Sequence, residues 1–317
     1  MTEWKPEGIR IDTPENKAAI ASLASLSQAQ QSQKILEARA VVCDSEHNLL
    51  VPLGGGIRGI IPREEGALGI AEGTTRDIAI ISRVNKPVCF VVTGFMRGEN
   101  GEQTVLLSRR AVQQRCMQQY IHTLRPGDVI DGRVTHLENF GCFVDIGCGI
   151  CSLIPIDSIS VSRISHPGDR FHPGQMIRAV VRAVDGDRVT LTHRELLGSW
   201  SENASIFHSG ETVAGIVRSV EPYGIFVELT PNLAGLAEPR EGVQPGQQAS
   251  VYIKSMIPDR MKIKLILVDA FDASYQLAEP EYFFHGDHMS RWRYSPPQAR
   301  RVVETVFDTA EENEDIQ

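Results

Sequence analysis

Residues 131–147 are Asp-Gly-Arg-Val-Thr-His-Leu-Glu-Asn-Phe-Gly-Cys-Phe-Val-Asp-Ile-Gly. Apolar and polar residues alternate on both sides of a central Asn-Phe-Gly turn, as in two short antiparallel strands. The pattern returns without a gap at residues 214–229, which are Ala-Gly-Ile-Val-Arg-Ser-Val-Glu-Pro-Tyr-Gly-Ile-Phe-Val-Glu-Leu. Gly141 aligns with Gly224, and Phe143 aligns with Phe226. A repeat of this kind indicates two copies of one structural unit.

Each copy continues with a Pro-Gly turn and two more alternating runs. The runs are Met176–Val184 and Arg188–Thr192 in the first copy, and Ala249–Met256 and Met261–Val268 in the second. Alternation bounded by such turns is typical of short antiparallel strands. Five strands in about 70 residues predict a small closed barrel of the OB type.

An earlier segment keeps the outline of the repeat. Leu53–Pro62 matches Ile146–Pro155, and the run Leu-Ser-Arg-Arg at 107–110 matches Leu-Thr-His-Arg at 191–194. In this register His47 and Leu50 replace the aromatic pair, so this copy is degenerate. We therefore predict a mainly β fold with three tandem five-stranded OB-fold barrels, the first of them degenerate.

The segments outside the barrels are expected to contain helices. Pro14–Leu36 and Arg110–Leu124 have helical composition, the second as a stiff spacer, and another helix is expected from Pro297. The expected divisions are an N-terminal helical segment at 1–32, barrels at 33–109, 125–196 and 208–270, a helical linker at 110–124, an aromatic extension at 271–307 and an acidic disordered tail at 308–317.

The net charge of −8 argues against a uniformly basic nucleic-acid-binding surface. Residues 308–317 contain five acidic residues and no Lys or Arg, so the rest of the chain carries only −3. This balance permits local basic grooves. A hydrophobic content of 42% excludes wholesale disorder.

The expected location is the cytoplasm. No run approaches the roughly 20 apolar residues needed to span a bilayer, and the first residues lack the layout of a secretory signal. Four of the six cysteines stand singly in apolar segments, as buried thiols do: Cys43, Cys89, Cys116 and Cys142.

The aromatic pairs point to a binding face. Successive side chains of a strand point to opposite sides, so Cys142, Val144 and Ile146 form the core row and Phe143 points outward beside Asp145. Phe140 precedes the bend at Gly141, and Tyr223 and Phe226 repeat the arrangement. A single aromatic residue in a strand is usually part of the core, but repetition out of phase with the core row favours a platform on which unpaired bases stack.

Basic residues near these strands are candidates for phosphate contacts, with ordinary solvated surface charges as the alternative. They are Arg133, Arg163, Arg178 and Arg188 in the middle barrel, and Arg218, Lys254, Arg260, Lys262 and Lys264 in the last.

The middle copy resembles a known family. Its motifs are Gly-Arg-Val-Thr at 132–135, Phe-Gly-Cys-Phe-Val-Asp-Ile-Gly at 140–147, Arg-Ile-Ser-His-Pro at 163–167, Pro-Gly-Gln at 173–175 and Arg-Val-Thr-Leu-Thr at 188–192. They resemble the RNA-binding module named after ribosomal protein S-one, an OB-fold subfamily. The resemblance covers about residues 32–270, and the multi-copy chain is similar to the short small-subunit ribosomal protein S-one homologues of bacteria.

The resemblance implies an RNA-binding face in both complete barrels. It falls on Phe140, Phe143, Asp185 and Arg188, and on Tyr223, Phe226 and Arg260; Arg133, Arg163, His166 and Lys254 complete the candidate set. The chain departs from the family in having Pro155, Glu238 and Pro62 where a His often follows the third strand, and in a turn between Asp185 and Arg188 that is one residue short.

The resulting functional prediction is a cytoplasmic bacterial protein that binds single-stranded messenger RNA in translation, at or near the small ribosomal subunit, without a cofactor or a catalytic site. The degenerate first barrel is a candidate for docking to protein. A regulatory or RNA-decay factor acting away from ribosomes is the alternative. A third possibility is an enzyme whose site includes His285 and His288 in the aromatic extension.

Three further motifs are interpreted as structural. Cys148 and Cys151 have the spacing of half a zinc site, but they fall at a hairpin and no second ligand pair lies nearby in sequence. The run Gly54–Gly56 lacks the Lys and the helix of a phosphate loop and is expected to be a turn. For His285 and His288, a packed aromatic appendage is favoured over a metal site, and a further RNA or protein contact stays open.

Overall fold

The computed structural model describes residues 3–97, 103–274 and 277–308. The chain divides into two compact units. Unit 1 contains Met1–Leu124 and Asp145–Cys151, and unit 2 contains Arg125–Val144 and Ser152–Gln317. Within the described ranges, every helix is too short or too polar to cross a membrane.

The secondary structure is dominated by strands. Helices α1 to α5 span Pro14–Ala19, Leu23–Gln31, Ile78–Ile81, Arg109–Gln119 and Trp200–Ala204. Strands β1 to β6 span Leu36–Arg39, Val42–Cys43, Leu49–Pro52, Arg58–Ile61, Pro87–Arg97 and Gln103–Ser108. Strands β7 to β11 span Val129–Glu138, Gly141–Gly147, Ile150–Pro155, Met176–Asp185 and Arg188–Thr192. Strands β12 to β18 span Thr212–Glu221, Gly224–Thr230, Leu233–Ala237, Gln248–Ile257, Lys262–Phe271, Arg291–Arg293 and Glu304–Val306.

The expected N-terminal helical segment forms two short helices rather than one. The Thr13 hydroxyl accepts from the Asn16 amide at 3.2 Å and caps α1. Ser22 and Ser25 form a reciprocal capping box that starts α2. The helix ends at Gln31, so Leu36, which we expected to be helical, begins the first strand.

The first barrel has its opening strand broken in two. Its sheet order is β1-β5-β6-β4-β3-β2, with β4 and β6 parallel. The two ends of this order, β1 and β2, are consecutive in the chain and together occupy the place of one OB strand, pairing with β5 on one side and β3 on the other. The predicted fold is therefore confirmed, with this strand divided between Arg39 and Val42.

The predicted linker helix is present as α4, but it is not a free spacer. The Ser108 hydroxyl accepts from the Ala111 amide at 2.9 Å and caps its start. Val112, Cys116 and Met117 are buried along the helix. Because these apolar side chains are covered, α4 is a packed part of unit 1 and cannot serve as an exposed linker.

The middle and last barrels are both closed. Their strand orders are β10-β11-β9-β8-β7 and β12-β13-β14-β16-β15. Each ring includes one parallel contact, with Leu153 paired to Thr190 in the middle barrel and Leu236 paired to Lys264 in the last. A bulge recurs in the hairpin that ends each barrel, between β10 and β11 and between β15 and β16. The internal repeat seen in the sequence is thus a structural repeat.

The C-terminal extension is not helical, which corrects the prediction at Pro297. Residues 297–303 form turns that lead into β18, and β18 pairs with β17. The buried Trp292 and Tyr294 belong to the same apolar core as the last barrel, and the Tyr294 hydroxyl donates to the Asn232 carbonyl at 2.7 Å. These contacts hold the segment extended, so tertiary packing overrides local helical preference. Of the expected acidic tail, only Asp308 lies within the described residues.

Candidate nucleic-acid interface

The middle barrel presents its two aromatic rings to solvent. The Phe140 side chain is 57% exposed, and Phe143 is half-buried. Their ring centroids are 6.1 Å apart, with the rings at 88° to each other in an edge-to-face arrangement. Because one ring contacts the other only through its edge, the flat face of that ring stays free to stack against a third planar group.

The last barrel repeats this geometry. Tyr223 is 67% exposed, and its ring centroid lies 6.2 Å from that of Phe226 at an angle of 87°. Phe226 is half-buried, like Phe143. Two sites with the same ring separation and the same angle are thus built on one structural plan.

Glycine at the start of the second strand lets each ring pair form. A Cβ added to Gly141 would lie 2.4 Å from the Ile154 carbonyl oxygen, and one added to Gly224 would lie 2.7 Å from the Ala237 oxygen. Such distances are too short for any side chain. The close approach holds each aromatic turn against the neighbouring strand, which explains why a glycine follows each first ring.

His136 joins the aromatic group of the middle barrel and was missed by the sequence reasoning. Its ring lies 6.3 Å from the Phe143 ring at 30°, in a stacked arrangement, and one ring nitrogen lies 2.6 Å from the Glu138 carboxylate. His136 is exposed on β7. Its two-residue phase matches that of the buried Gly132 and Val134, so the alternation of β7 gives no signal that could have identified it. The aligned position in the last barrel is Ser219.

A cross-strand row in the last barrel connects the rings to a basic residue. Ser219 pairs with Phe226, Phe226 with Leu236, and Leu236 with Lys264. Paired residues of neighbouring strands share a face of the sheet. The exposed Lys264 ammonium therefore lies on the ring-bearing face, two strands from Phe226.

Asp185 and Arg188 face each other across the hairpin that ends the middle barrel, and both are exposed. In the last barrel the corresponding pair is Ile257 and Lys262, because its loop is two residues longer. The register therefore puts Lys262 at the position equivalent to Arg188. Arg260, which the sequence comparison assigned there, lies in the loop.

Two of the predicted cations have structural partners instead. The Arg178 guanidinium donates to the carbonyls of Phe284 and Gly286, each at 2.8 Å, and lies over the Tyr282 ring. The Arg218 guanidinium binds the Glu228 carboxylate, with Nε 2.9 Å from Oε2. Both side chains hold unit 2 together and are not free to contact phosphate.

The other predicted polar residues differ in their surroundings. His166 is half-buried, and its Nδ1 accepts from the Gly168 amide at 2.9 Å, so it caps a short helical turn. Arg133 donates from Nε to the Gly174 carbonyl at 3.1 Å. Arg163 and Lys254 are exposed and have no ion-pair partner among the described residues. These last two are the most available for phosphate.

Asp145 is buried, which corrects the expectation that it lies exposed beside Phe143. Its carboxylate accepts from the backbone amides of Glu7 at 2.7 Å, Gly147 at 2.9 Å and Gly149 at 3.0 Å. Burial, with the nearby Glu7 charge, raises the Asp145 pKa to about 7. Of the two outward residues Phe143 and Asp145, only Phe143 is therefore open to a ligand.

The structure places the cysteine pair and His288 as follows. Cys148 is buried at the hairpin turn and Cys151 is exposed. The His288 ring lies between two carboxylates, with Nδ1 2.8 Å from Asp128 Oδ1 and Nε2 3.0 Å from Asp308 Oδ1. These hydrogen bonds raise the pKa of His288. In the parts of the chain that the structure describes, no group of three or more His, Cys, Asp or Glu side chains is arranged to hold a metal ion.

Comparison with known proteins finds a family match over the middle barrel. Residues 123–194 match the family model described as "S1 RNA binding domain". The chain is 32% identical over 179 residues to small ribosomal subunit protein bS1 of Staphylococcus epidermidis, covering 51% of this chain and 45% of that protein. It is 30% identical over 228 residues to the bS1 homolog of Bacillus subtilis, covering 66% and 57%. The predicted resemblance is confirmed, and the matched region spans about half the length of these relatives.

Comparison with solved structures gives matches of low overall similarity. A multidomain protein with nucleic acid binding domains from Streptococcus pneumoniae is 14% identical, with a TM-score of 0.25, covering 77% of this chain and 75% of that chain. The solution structure of GSP13 from Bacillus subtilis is 24% identical, with a TM-score of 0.22, covering 23% and 57%.

Proposed function

We propose that this protein binds single-stranded RNA through the two aromatic pairs, and that the RNA is messenger RNA held during translation. The observation that carries the proposal is the recurrence of one exposed edge-to-face ring pair, with the same separation, in both complete barrels. An exposed ring is unfavourable in water unless something covers it, and every nucleobase has a flat face that can do so.

The binding requires no chemistry. Stacking of a base on an aromatic side chain contributes about 1–3 kcal/mol, and lysine and arginine side chains neutralise phosphates. Each barrel by itself would bind weakly. Two barrels on one chain raise the effective concentration of the second site once the first is occupied, which strengthens overall binding without new contacts.

The small ribosomal subunit is the proposed partner, which gives a cytoplasmic location. The relatives named as small ribosomal subunit proteins support this, together with the absence of a ring pair from the first barrel, where His47 and Leu50 stand. We propose that unit 1 docks to protein. Ile78 and Ile81 of α3 are exposed there and offer an apolar contact.

Co-sedimentation of the full chain with small subunits tests the partner. Ile78→Asp should reduce co-sedimentation, whereas Ile206→Asp, at a similarly exposed isoleucine of unit 2, should leave it unchanged. If the wild type stays in the supernatant at low salt while binding RNA, the protein is instead a ribosome-independent regulatory or RNA-decay factor. Deletion of unit 1 is unsuitable as a test, because residues 145–151 belong to that unit and also contribute to strands β8 and β9 of the middle barrel.

Titration of unstructured RNA tests the binding function. Phe143→Ala with Phe226→Ala should weaken binding at least fivefold, by the loss of stacking. A second double variant, Phe140→Ala with Tyr223→Ala, removes the more exposed ring of each pair. It repeats the test with a smaller loss of packing, so the variant is expected to fold. Phe95→Ala, at an exposed ring of unit 1, is the matched control. Unchanged affinity in both double variants would refute the proposal.

A further inference from the structure

Equivalent outer faces of the middle and last barrels differ in what covers them. In the middle barrel, Val180 of β10 pairs with Val129 and with Thr192. At the same place in the last barrel, Tyr252 of β15 pairs with Thr212 and with Ile266. The registers therefore make Val180 equivalent to Tyr252, and Thr192 equivalent to Ile266.

The chain itself covers this face of the middle barrel. Val180 is fully buried in one apolar cluster with Leu196 and Trp200, which lie in the segment that follows β11. Thr192 is also buried, and its hydroxyl donates to the Glu195 carboxylate. The middle barrel therefore cannot bind a ligand at this position.

The same face of the last barrel is open. Tyr252 is 37% exposed and Ile266 is 46% exposed, and they are direct cross-strand neighbours. Val268, two residues further along β16, is also exposed. The Tyr252 hydroxyl has no hydrogen-bond partner among the described residues. An aromatic ring and two aliphatic side chains thus form an uncovered floor.

This floor continues the ring-bearing face. Lys264 lies in one cross-strand row with Leu236 and Phe226, and Ile266 follows two residues later on the same side of β16. From β13 to β15 the path crosses three strand spacings, roughly 14 Å. A chain that stacks on Phe226 can therefore extend past Lys264 to Tyr252 without leaving the face.

Charge favours a nucleic acid as the occupant. Lys254, Lys262 and Lys264 border the floor, are exposed, and form no ion pair within the described parts of the chain. Asp269 lies at the far end of β16 and marks where the basic border stops. An apolar, aromatic floor bordered by ammonium groups matches the bases and phosphates of a single strand.

We propose that the last barrel binds a longer stretch of single-stranded RNA than the middle barrel, with Tyr252 as a third stacking residue and Lys254 and Lys264 as its phosphate contacts. This inference rests on the proposed function. The two barrels then differ in role. The middle site is short because the segment that follows β11 covers the face equivalent to that of Tyr252, whereas the site on the last barrel is extended.

The test uses the full chain with Phe140→Ala and Phe143→Ala, which silence the middle site. Oligouridylates of about 4 and about 12 nucleotides span the range of site sizes of OB folds. Tyr252→Ala should weaken binding of the longer RNA roughly fivefold or more and leave the shorter unchanged. Tyr252→Phe should keep wild-type affinity, since the hydroxyl has no partner. Lys254→Gln should lower the salt dependence by roughly one phosphate contact.

The outcomes separate this inference from the proposed function. An unchanged affinity of the Tyr252→Ala variant for the longer RNA, or an equal fold-loss for both lengths, would overturn the extended site, while loss of binding on Tyr223→Ala with Phe226→Ala would leave the function standing. If that double variant also binds unchanged, the proposed function itself fails. A change of sedimentation coefficient caused by Tyr252→Ala in the absence of RNA would assign the face to a protein contact and likewise overturn the inference.

Discussion

Arg170 of the middle barrel donates to the Glu228 carboxylate on β13 of the last barrel, and Arg218 binds the same carboxylate through Nε at 2.9 Å and through a second nitrogen at 3.2 Å. All three side chains are buried. The Glu228 carboxylate thus bridges two arginines between the middle and last barrels, and Asp169 supplies a second carboxylate to Arg218 at 3.3 Å.

Replacement of Glu228 should strongly destabilise unit 2. Glu228→Gln leaves the buried Arg170 guanidinium without this counter-charge and leaves Arg218 with Asp169, at 3.3 Å, as its remaining carboxylate, for which a loss of about 3–5 kcal/mol is expected. The free energy of unfolding in urea measures it. Glu221→Gln, at a half-exposed residue of the adjacent strand, is the control and should change stability by less than about 0.5 kcal/mol. Equal stability of the two variants would show that the carboxylate is not needed.

Alanine at Gly224 should damage the ring-bearing turn. Its Cβ would lie 2.7 Å from the Ala237 carbonyl oxygen and equally close to the Leu236 side chain, so β13 must move away from β14. We expect lower stability and weaker RNA binding together. Gly94→Ala is a useful comparison, because a Cβ there meets only ordinary van der Waals contacts, the nearest at 3.7 Å from the Leu106 side chain, and the backbone is outside the left-handed region. Chemical denaturation and RNA titration check both effects, and a Gly224→Ala protein with unchanged affinity would contradict this account.

His136 should contribute to RNA binding in the middle barrel only. Its ring stacks on Phe143 and extends the aromatic surface. His136→Ala should therefore weaken binding of unstructured RNA several-fold at low salt. In a protein that already carries Phe140→Ala and Phe143→Ala, the same change should have little effect, because the platform is gone. A full additive loss in that background would mean that His136 acts elsewhere.

Ionisation of Glu37 should lower the stability of unit 1 as the pH rises. Its Oε2 accepts from the amides of Gly8, Arg10 and Ile11, while Oε1 is buried without a partner among the described residues. Burial raises its pKa from 4.5 to about 7. The raised pKa contributes stability that is present below about pH 4.5 and is lost as the pH rises through about 7, at most roughly 3 kcal/mol.

The variant Glu37→Gln isolates this effect. The amide oxygen can still accept the three backbone hydrogen bonds, but the side chain no longer titrates. The difference in unfolding free energy between variant and wild type should therefore shift in favour of the variant between pH 4.5 and pH 7. A constant difference across this range would show that Glu37 does not titrate with a raised pKa.

Local features predicted much of the fold and the ring-bearing site. The alternation around Phe143 and its repetition around Phe226 placed two barrels, the strands within them and the outward rings. These features depend on the period of a strand and on turn residues, which neighbouring positions reveal. The same information placed Cys148 at a hairpin turn, where the structure has it.

Other residues could not be assigned from neighbouring positions. Asp145 has the outward phase of an exposed residue, yet Glu7, more than a hundred residues earlier, covers it. Arg178 resembles a phosphate ligand in sequence, but the carbonyls of the C-terminal extension take its hydrogen bonds. In each case the deciding partner is distant in the chain.

The sequence by itself determined which side of each strand is apolar, because that follows from a two-residue period along one segment. Only the tertiary structure decided which outward positions stay open to solvent, because exposure depends on what another segment covers. Val180 and Tyr252 show the difference, since they occupy the same place in two barrels. One is buried by the segment that follows its barrel, and the other is free to meet a ligand.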